Sequence, residues 1–501
     1  MPIRGAAITT LGTTGAFPCL RWPWPQGSPI IPAKFGPIVL SGPRFSAHRT
    51  ARPMPTIKTR RGLNIPIHGA AQSLEIQSAP APKTVALLPQ ESWGIKVRML
   101  AQEGDTVSIG TPLYADRRDE AAVFGSPAAG KVVAVNRGHR RAVLSVVIAV
   151  EGDACVPISR LDAASADGDQ VRKALLGAGL WPCFRQRPYD KVPHSASTPK
   201  AIVVQAYDSR PLAAPHMALL AGRKAAFQHG LALIHRLSGG RTFLCVQDGQ
   251  PWGDWGVSGV NVQSFAGPHP AGTAGFSIHK MAPVGPGAST WYIDAQDVAD
   301  IGETFSTGKI PTRHVVALTG PEAKNPRLVE TRRGADIASL VTGESSASET
   351  RVLCGSVLEG RITTPGSPEG YLSRYANQVT LMEGATKREF LSWALPVAGR
   401  FTQTNTMFDK FFRSKFKFNA DENGSLRAIV PIGQYEAVMP MDILPTQLIK
   451  ALASHDLESA EKLGALELAE EDLALCQFVD PSKQPLTDML RSMLTRIEKE
   501  G

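Results

Sequence analysis

At 501 residues, 43% hydrophobic and 20% charged, the chain has room for three or four domains. Its longest apolar runs, such as residues 143–150 interrupted by Ser145, fall far short of the ~20 residues a spanning helix needs. The net charge of +9 is uneven: residues 1–53 hold six basic side chains and no acid, and the +3 left for the rest lacks the basic footprint of a nucleic-acid-binding domain.

The chain begins with a Pro-, Gly- and Arg-rich stretch, residues 1–53, in which Trp22-Pro23-Trp24-Pro25, Pro29, Pro32 and Pro37 interrupt any helix. No apolar segment of signal-peptide length precedes a folded pattern, so export is not expected. Met54 reads as the natural start, with residues 1–53 a mispredicted extension or a disordered tail. The six cysteines (Cys19, Cys155, Cys183, Cys245, Cys354, Cys476) form no CxxC pair, which fits buried thiols in a reducing compartment and no cysteine-built zinc or iron–sulfur motif in any short segment.

Residues 54–154 read as short strands joined by tight turns. Glu103-Gly104-Asp105 with Val107, Gly110 and Leu113, then Ser126-Pro127, Gly130 and Val132, resembles the two halves of a biotinyl/lipoyl-type domain, a flattened barrel-sandwich hybrid. Carriers of that type attach their prosthetic group to a lysine at the hairpin between the halves. Here residues 114–124 contain none, and Lys131 lies after the second turn. Arginine cannot replace it, because a guanidinium does not deprotonate to a nucleophile near neutral pH. The domain is expected to be a docking scaffold rather than a swinging arm.

Residues 155–312 alternate. An acidic, Ala-rich patch at 162–169 and residues 170–179 read as helical; residues 201–204 and 242–246 are apolar strands flanking a helix over 217–237, and residues 291–294 lead into a helix over 295–304. Strand, helix, strand predicts a Rossmann-like α/β domain with a parallel sheet. Residues 313–394 follow as strand, turn, strand and a short helix opened by Gly334-Ala335-Asp336, the order of a small β-grasp. From 395 to 501 helices are expected, at 444–454, 458–475 and 486–500. The fold class is therefore multidomain, mixing α+β and α/β.

Two constellations could carry chemistry. In Gly267-Pro268-His269-Pro270-Ala271-Gly272-Thr273-Ala274-Gly275-Phe276-Ser277-Ile278-His279, glycines and prolines fix a tight loop, and two imidazoles ten residues apart could converge on a flat redox ligand. The alternative is a rigid loop buried between domains. A metal centre lacks a third clustered ligand. Trp181-Pro182-Cys183-Phe184-Arg185-Gln186-Arg187-Pro188-Tyr189-Asp190-Lys191 mixes aromatics and cations, as a quinone head needs an apolar slot and a few donors; Trp93 within residues 88–95 is a weaker example. Either could instead be an interdomain contact. No P-loop, no G-x-G-x-x-G after a strand and no G-x-S-x-G elbow occurs, and no self-contained catalytic set is expected.

Over residues 55–501 the chain resembles the family of A subunits of sodium-translocating NADH:ubiquinone oxidoreductases. The carrying segments are residues 57–69, 103–151, 179–193, 267–272 with His279, 316–321, 430–446 and 463–476. The resemblance implies a peripheral subunit without a transmembrane segment on the cytoplasmic side of a bacterial inner-membrane complex that passes electrons from NADH to ubiquinone and exports sodium. It implies an SLBB-like identity for the β-grasp, and NADH, flavins and an Fe–S centre on partner subunits, with no cofactor bound covalently here. Partners would be the other subunits and ubiquinone, with no nucleic acid. The quinone-contact candidates are Trp93, Trp181, Phe184, Arg187, Tyr189, Lys191, His269, Gly272 and His279; a purely structural assembly role is the alternative. One departure is Asp480, where the family pattern has a second cysteine after Cys476.

Overall fold

A computed structural model describes residues 56–285, 287–346, 349–384, 401–403, 415–422 and 424–500. The expected extension at 1–53, the Met54 start and the beginning of the expected helical region near residue 395 lie outside these. The sandwich is built of two small antiparallel sheets. One has the order Thr84–Leu87, Val143–Val150, Gly130–Arg137, Thr106–Val107, and the other Val97–Met99, Pro112–Asp116, Asp119–Gly125. Side chains alternate along these strands, so Val85, Leu87, Val132, Val146 and Ile148 from one sheet meet Leu113, Tyr114 and Phe124 from the other. Tyr114 and Phe124 stack with ring centroids 4.6 Å apart. The hairpin between Pro112–Asp116 and Asp119–Gly125 turns at Arg117-Arg118, so arginines stand at the tip where a carrier has its lysine.

The α/β sheet has six strands in the order Ile57–Lys58, Asn261–Ala266, Thr242–Gln247, Ala201–Ala206, Thr290–Asp294, Arg185–Arg187, all parallel except the last. Helices Lys224–Leu237 and Ala295–Thr307 cover one face. They cross closely because Gly230 and Gly302 meet: a Cβ on Gly302 would lie 1.8 Å from the Ala226 carbonyl oxygen. The other face is covered by Ala274–Met281 and the C-terminal helices Pro445–Ala453, Glu470–Val479 and Leu486–Glu500. Val203, Cys245 and Phe265 of the sheet share one core with Leu448, Leu473, Leu490 and Leu494. The result is a three-layer sandwich whose third layer comes from the end of the chain.

The β-grasp sheet has the order Arg361–Thr363, Thr350–Cys354, Gln378–Glu383, Arg313–Thr319, Arg327–Arg332, Ile76–Ser78, with its central pair parallel. Its short helix Ile337–Val341 starts where Asp336 accepts from the Ala338 N–H. Three expected helices differ, the first being the run 217–237, which divides into His216–Leu219 and Lys224–Leu237 at Gly222, whose φ of 77° is left-handed. The helix expected from Asp162 begins at Gly168, because Asp162 turns the chain by accepting from Ala164 N–H and Asp167 closes a capping box with Gln170. The run 458–475 divides into Leu457–Lys462 and Glu470–Val479 at Gly464, whose φ of 93° is left-handed.

Candidate functional site

The loop after Asn261–Ala266 is held by the chain's own polar groups. The His269 amide donates to Asn64 Oδ1 at 2.9 Å, and its carbonyl accepts from Leu63 at 2.8 Å. Ser209 Oγ accepts from the Gly272 amide at 2.8 Å and lies 3.1 Å from His269 Nδ1. Gly272 is needed because a Cβ there would stand 2.7 Å from Ser209 N and 2.9 Å from the Tyr207 ring. The close approach is to the protein itself. Burial pushes the His269 pKa down to about 4, so the ring is neutral at physiological pH, and its Nε2 has no hydrogen-bond partner. The Ser209 hydroxyl, which accepts from Gly272, can donate to Nδ1, and in that tautomer the ring proton stands on Nε2.

The stretch 181–191 runs inward rather than lining a slot. Trp181, Phe184 and Trp291 are fully buried and pack edge-on and tilted at 5.4–5.8 Å, and Trp181 Nε1 donates to the Pro193 carbonyl at 2.8 Å. Arg187 is fully buried: Nη1 donates to Asp190 at 2.6 Å, and Nη2 to Glu471 at 3.0 Å and Asp472 at 3.2 Å, with the Tyr292 ring 5.2 Å away. Burial alone would raise the Asp190 carboxyl, but Arg185 and Arg187 hold it below the usual range. Burial, then their mutual repulsion, raises Glu471, and burial raises Asp472. Asp472 lies against the first turn of Ala274–Met281, where the helix dipole favours negative charge and where Gly275 leaves room. This network fastens the C-terminal layer to the sheet. Removing one member of such a buried set costs about 3–5 kcal/mol, since its partners are left charged and dry.

Other candidates stand apart from the loop. Trp93, 42% exposed, is stacked under the Arg491 guanidinium at 4.4 Å; Arg491 also donates to the Tyr189 carbonyl at 2.8 Å, and Lys191 pairs with Glu498. Trp93, Tyr189 and Lys191 thus meet on helix Leu486–Glu500. His279 accepts the Asp442 amide at Nε2, 3.0 Å, so Nδ1 carries the proton that Glu467 receives at 2.7 Å. The two imidazoles therefore do not converge. Among the described residues no group of three or more His, Cys, Asp or Glu is placed to hold a metal ion. His269 and Gly272 form one locus, Arg187 a second, and Trp93, Tyr189 and Lys191 a third. Sequence reading missed Asn64, Ser209, Tyr292, Glu471 and Asp472, whose roles depend on partners up to 285 residues away, and it passed over Asp190 within the 181–191 stretch.

In open α/β sheets ligands bind where the strand order reverses, here between Ala201–Ala206 and Thr290–Asp294. That crevice holds protein. His216 Nε2 and Asp294 are paired at 2.9 Å; burial would raise Asp294, but the imidazolium brings it down to about 2. Asn377 of the β-grasp donates to Asp294 at 2.8 Å and accepts from Gln296 at 2.9 Å. Asp480, at the position of the missing cysteine, accepts from Tyr435 at 2.7 Å and from the Ser482 and Gln484 amides at 2.8 Å, ordering the turn after Glu470–Val479.

Three family models match the chain: the NqrA N-terminal barrel-sandwich hybrid domain over residues 57–151, the NqrA second alpha/beta domain over 166–310, and the NQRA C-terminal domain over 315–364. A solved structure, that of an NAD+-reducing [NiFe]-hydrogenase in the air-oxidized state, superposes on 46% of this chain and 52% of its own at a TM-score of 0.31 and 13% identity, too loosely to define a shared fold. The NqrA of Serratia proteamaculans (strain 568), the A subunit of its Na(+)-translocating NADH-quinone reductase, is 44% identical over 453 residues, covering 89% of this chain and all of that protein. That of Saccharophagus degradans is 43% identical over 449 residues with the same coverage. A likeness of that level over the whole length of both relatives means that the chain belongs to the NqrA family of Na(+)-translocating NADH-quinone reductase subunits.

Proposed function

We propose that the chain works as the peripheral, cytoplasmic-side subunit of an inner-membrane complex that couples electron transfer from NADH to ubiquinone with Na+ export, and that its His269 loop contributes a contact to the quinone. NADH, flavin and iron–sulfur chemistry are assigned to the partner subunits. The supporting observation is the buried, neutral His269 ring, whose Nε2 is left without a partner. A desolvated ring nitrogen without a partner costs stability unless a ligand completes it, and in the tautomer in which Ser209 donates to Nδ1 a quinone carbonyl would accept the Nε2 proton.

Titration of the isolated chain with a soluble ubiquinone analogue tests this. Saturable binding is expected, weakened about tenfold in His269→Ala, the size of one lost hydrogen bond. The assembled complex carrying that variant should show a raised KM for quinone. Absence of saturable binding together with an unchanged KM favours a second reading, assembly alone. The observation behind that reading is that Trp181, Phe184, Arg187 and His279 all find their partners inside the fold.

A further inference from the structure

Two hairpin tips of the sandwich bring cations to one place that the quinone reading does not use. Arg117 stands at the turn after Pro112–Asp116; Arg137, Arg140 and Arg141 belong to the turn between Gly130–Arg137 and Val143–Val150. All four line one open groove with Trp93, over a floor formed by Ile95, Val97 and Met99. The arginines are exposed, and among the described residues no carboxylate lines the groove. The nearby acids are already engaged: Asp116 with Arg118, Glu498 with Lys191, Glu470 with Arg491. Among the described residues the side chains of Arg117, Arg140 and Arg141 make no ion pair. Like charges gathered without counter-charges repel one another, so an anionic occupant would relieve the groove.

The backbone adds an independent sign. Arg140 and Arg141 have φ of 52° and 60°, consecutive left-handed residues at a hairpin turn where Asn-Gly would sit without strain. A costly conformation occupied by two arginines, rather than by the residues that fit it, marks a turn selected for its side chains. Guanidinium forks match phosphate oxygens in pairs, and an exposed indole beside aliphatic side chains suits the boundary between headgroup and hydrocarbon.

We propose that this groove docks the chain onto the anionic phospholipid headgroups of a membrane surface. Arg117, Arg137, Arg140 and Arg141 hold phosphates, while Trp93 and the aliphatic floor meet the glycerol and the first methylenes. An acidic peptide fits less well, since its backbone N–H and C=O groups would be laid on Ile95, Val97 and Met99 without partners. The inference is independent of any quinone contact at His269.

The experiment is flotation of the full chain with vesicles of phosphatidylcholine alone and with phosphatidylglycerol added in equal part. Binding to the anionic vesicles only is expected, decreasing as salt is raised. Each arginine near such a surface contributes about a fivefold factor, so Arg140→Ala with Arg141→Ala should lower partitioning about thirtyfold. Removing the same charge elsewhere, in Lys309→Ala with Lys450→Ala, should leave it within about a factor of two. Trp93→Phe should abolish the blue shift of tryptophan emission on binding. Equal binding to neutral vesicles, equal loss in the lysine control, or vesicle binding unchanged while the arginine variant no longer joins its partner subunits would each overturn the proposal.

Discussion

Buried imidazoles carry the clearest pH signature at the residue scale. His314 is buried within the β-grasp strand Arg313–Thr319, its Nε2 donating to the Ala376 carbonyl at 2.9 Å, and burial, aided by Arg333, pushes its pKa down to about 4, as burial does for His269. An unfolded chain takes up the same protons near pH 6.5. Between those values the unfolded state binds more protons, so the contribution of each ring is complete above about pH 6.5 and is lost as pH falls toward about 4. Each shift corresponds to about 3 kcal/mol. The raised carboxyls of Glu471 and Asp472 run the other way, losing stability as pH rises above the ordinary carboxylate range, so the histidine share is read by difference. His314→Gln, which keeps a donor for Ala376, should lose less of its urea midpoint between neutral pH and about pH 5 than the natural chain does, the share of His269 remaining in both. Parallel loss in both proteins would refute this assignment.

At the scale of elements, the crossing of Lys224–Leu237 and Ala295–Thr307 is set by two glycines in contact. Gly302→Ala would drive a methyl group into the Ala226 carbonyl and toward Gly230 N at 2.5 Å. The helices must part, and a loss of about 1–3 kcal/mol is expected, seen as a lower unfolding temperature, although alanine is the better helix former. Local signals of this kind divide what the sequence reveals from what it hides. Alternating Val and Leu around Glu103-Gly104-Asp105, the Asp336 cap and the 15-residue amphipathic Leu486–Glu500 are each written in one short local stretch, and each led to an element of the expected type. The edge strands Ile57–Lys58 and Ile76–Ser78 carry no such pattern; they are strands only because Phe265 and Leu328 offer them edges. The same holds for chemistry. Arg187 among aromatics reads equally as a ligand contact or a core cation, and only Glu471 and Asp472, far along the chain, decide for the second.

For the molecule as a whole, the C-terminal helices complete the α/β layer sandwich. A chain ending at residue 433 would leave Val203, Cys245, Phe265 and Phe276 without their cover from Leu448, Leu473 and Leu494. Such an exposed apolar face drives association. The truncated protein should appear in the insoluble fraction, and a monomeric, soluble product by sedimentation would argue that the sheet stands without its third layer.

The position of Ile57–Lys58 and Ile76–Ser78 also sets a timetable for synthesis. These strands leave the ribosome before the sandwich, yet Phe265 and Leu328 emerge about two hundred residues or more after them, on the order of ten to fifty seconds at ordinary elongation rates. A self-contained sandwich can close in that interval, with both segments hanging unpaired on its N-terminal side. The first residues of the folded body are thus among the last to find their places, and a chaperone acting on the nascent chain would meet them as two waiting edges.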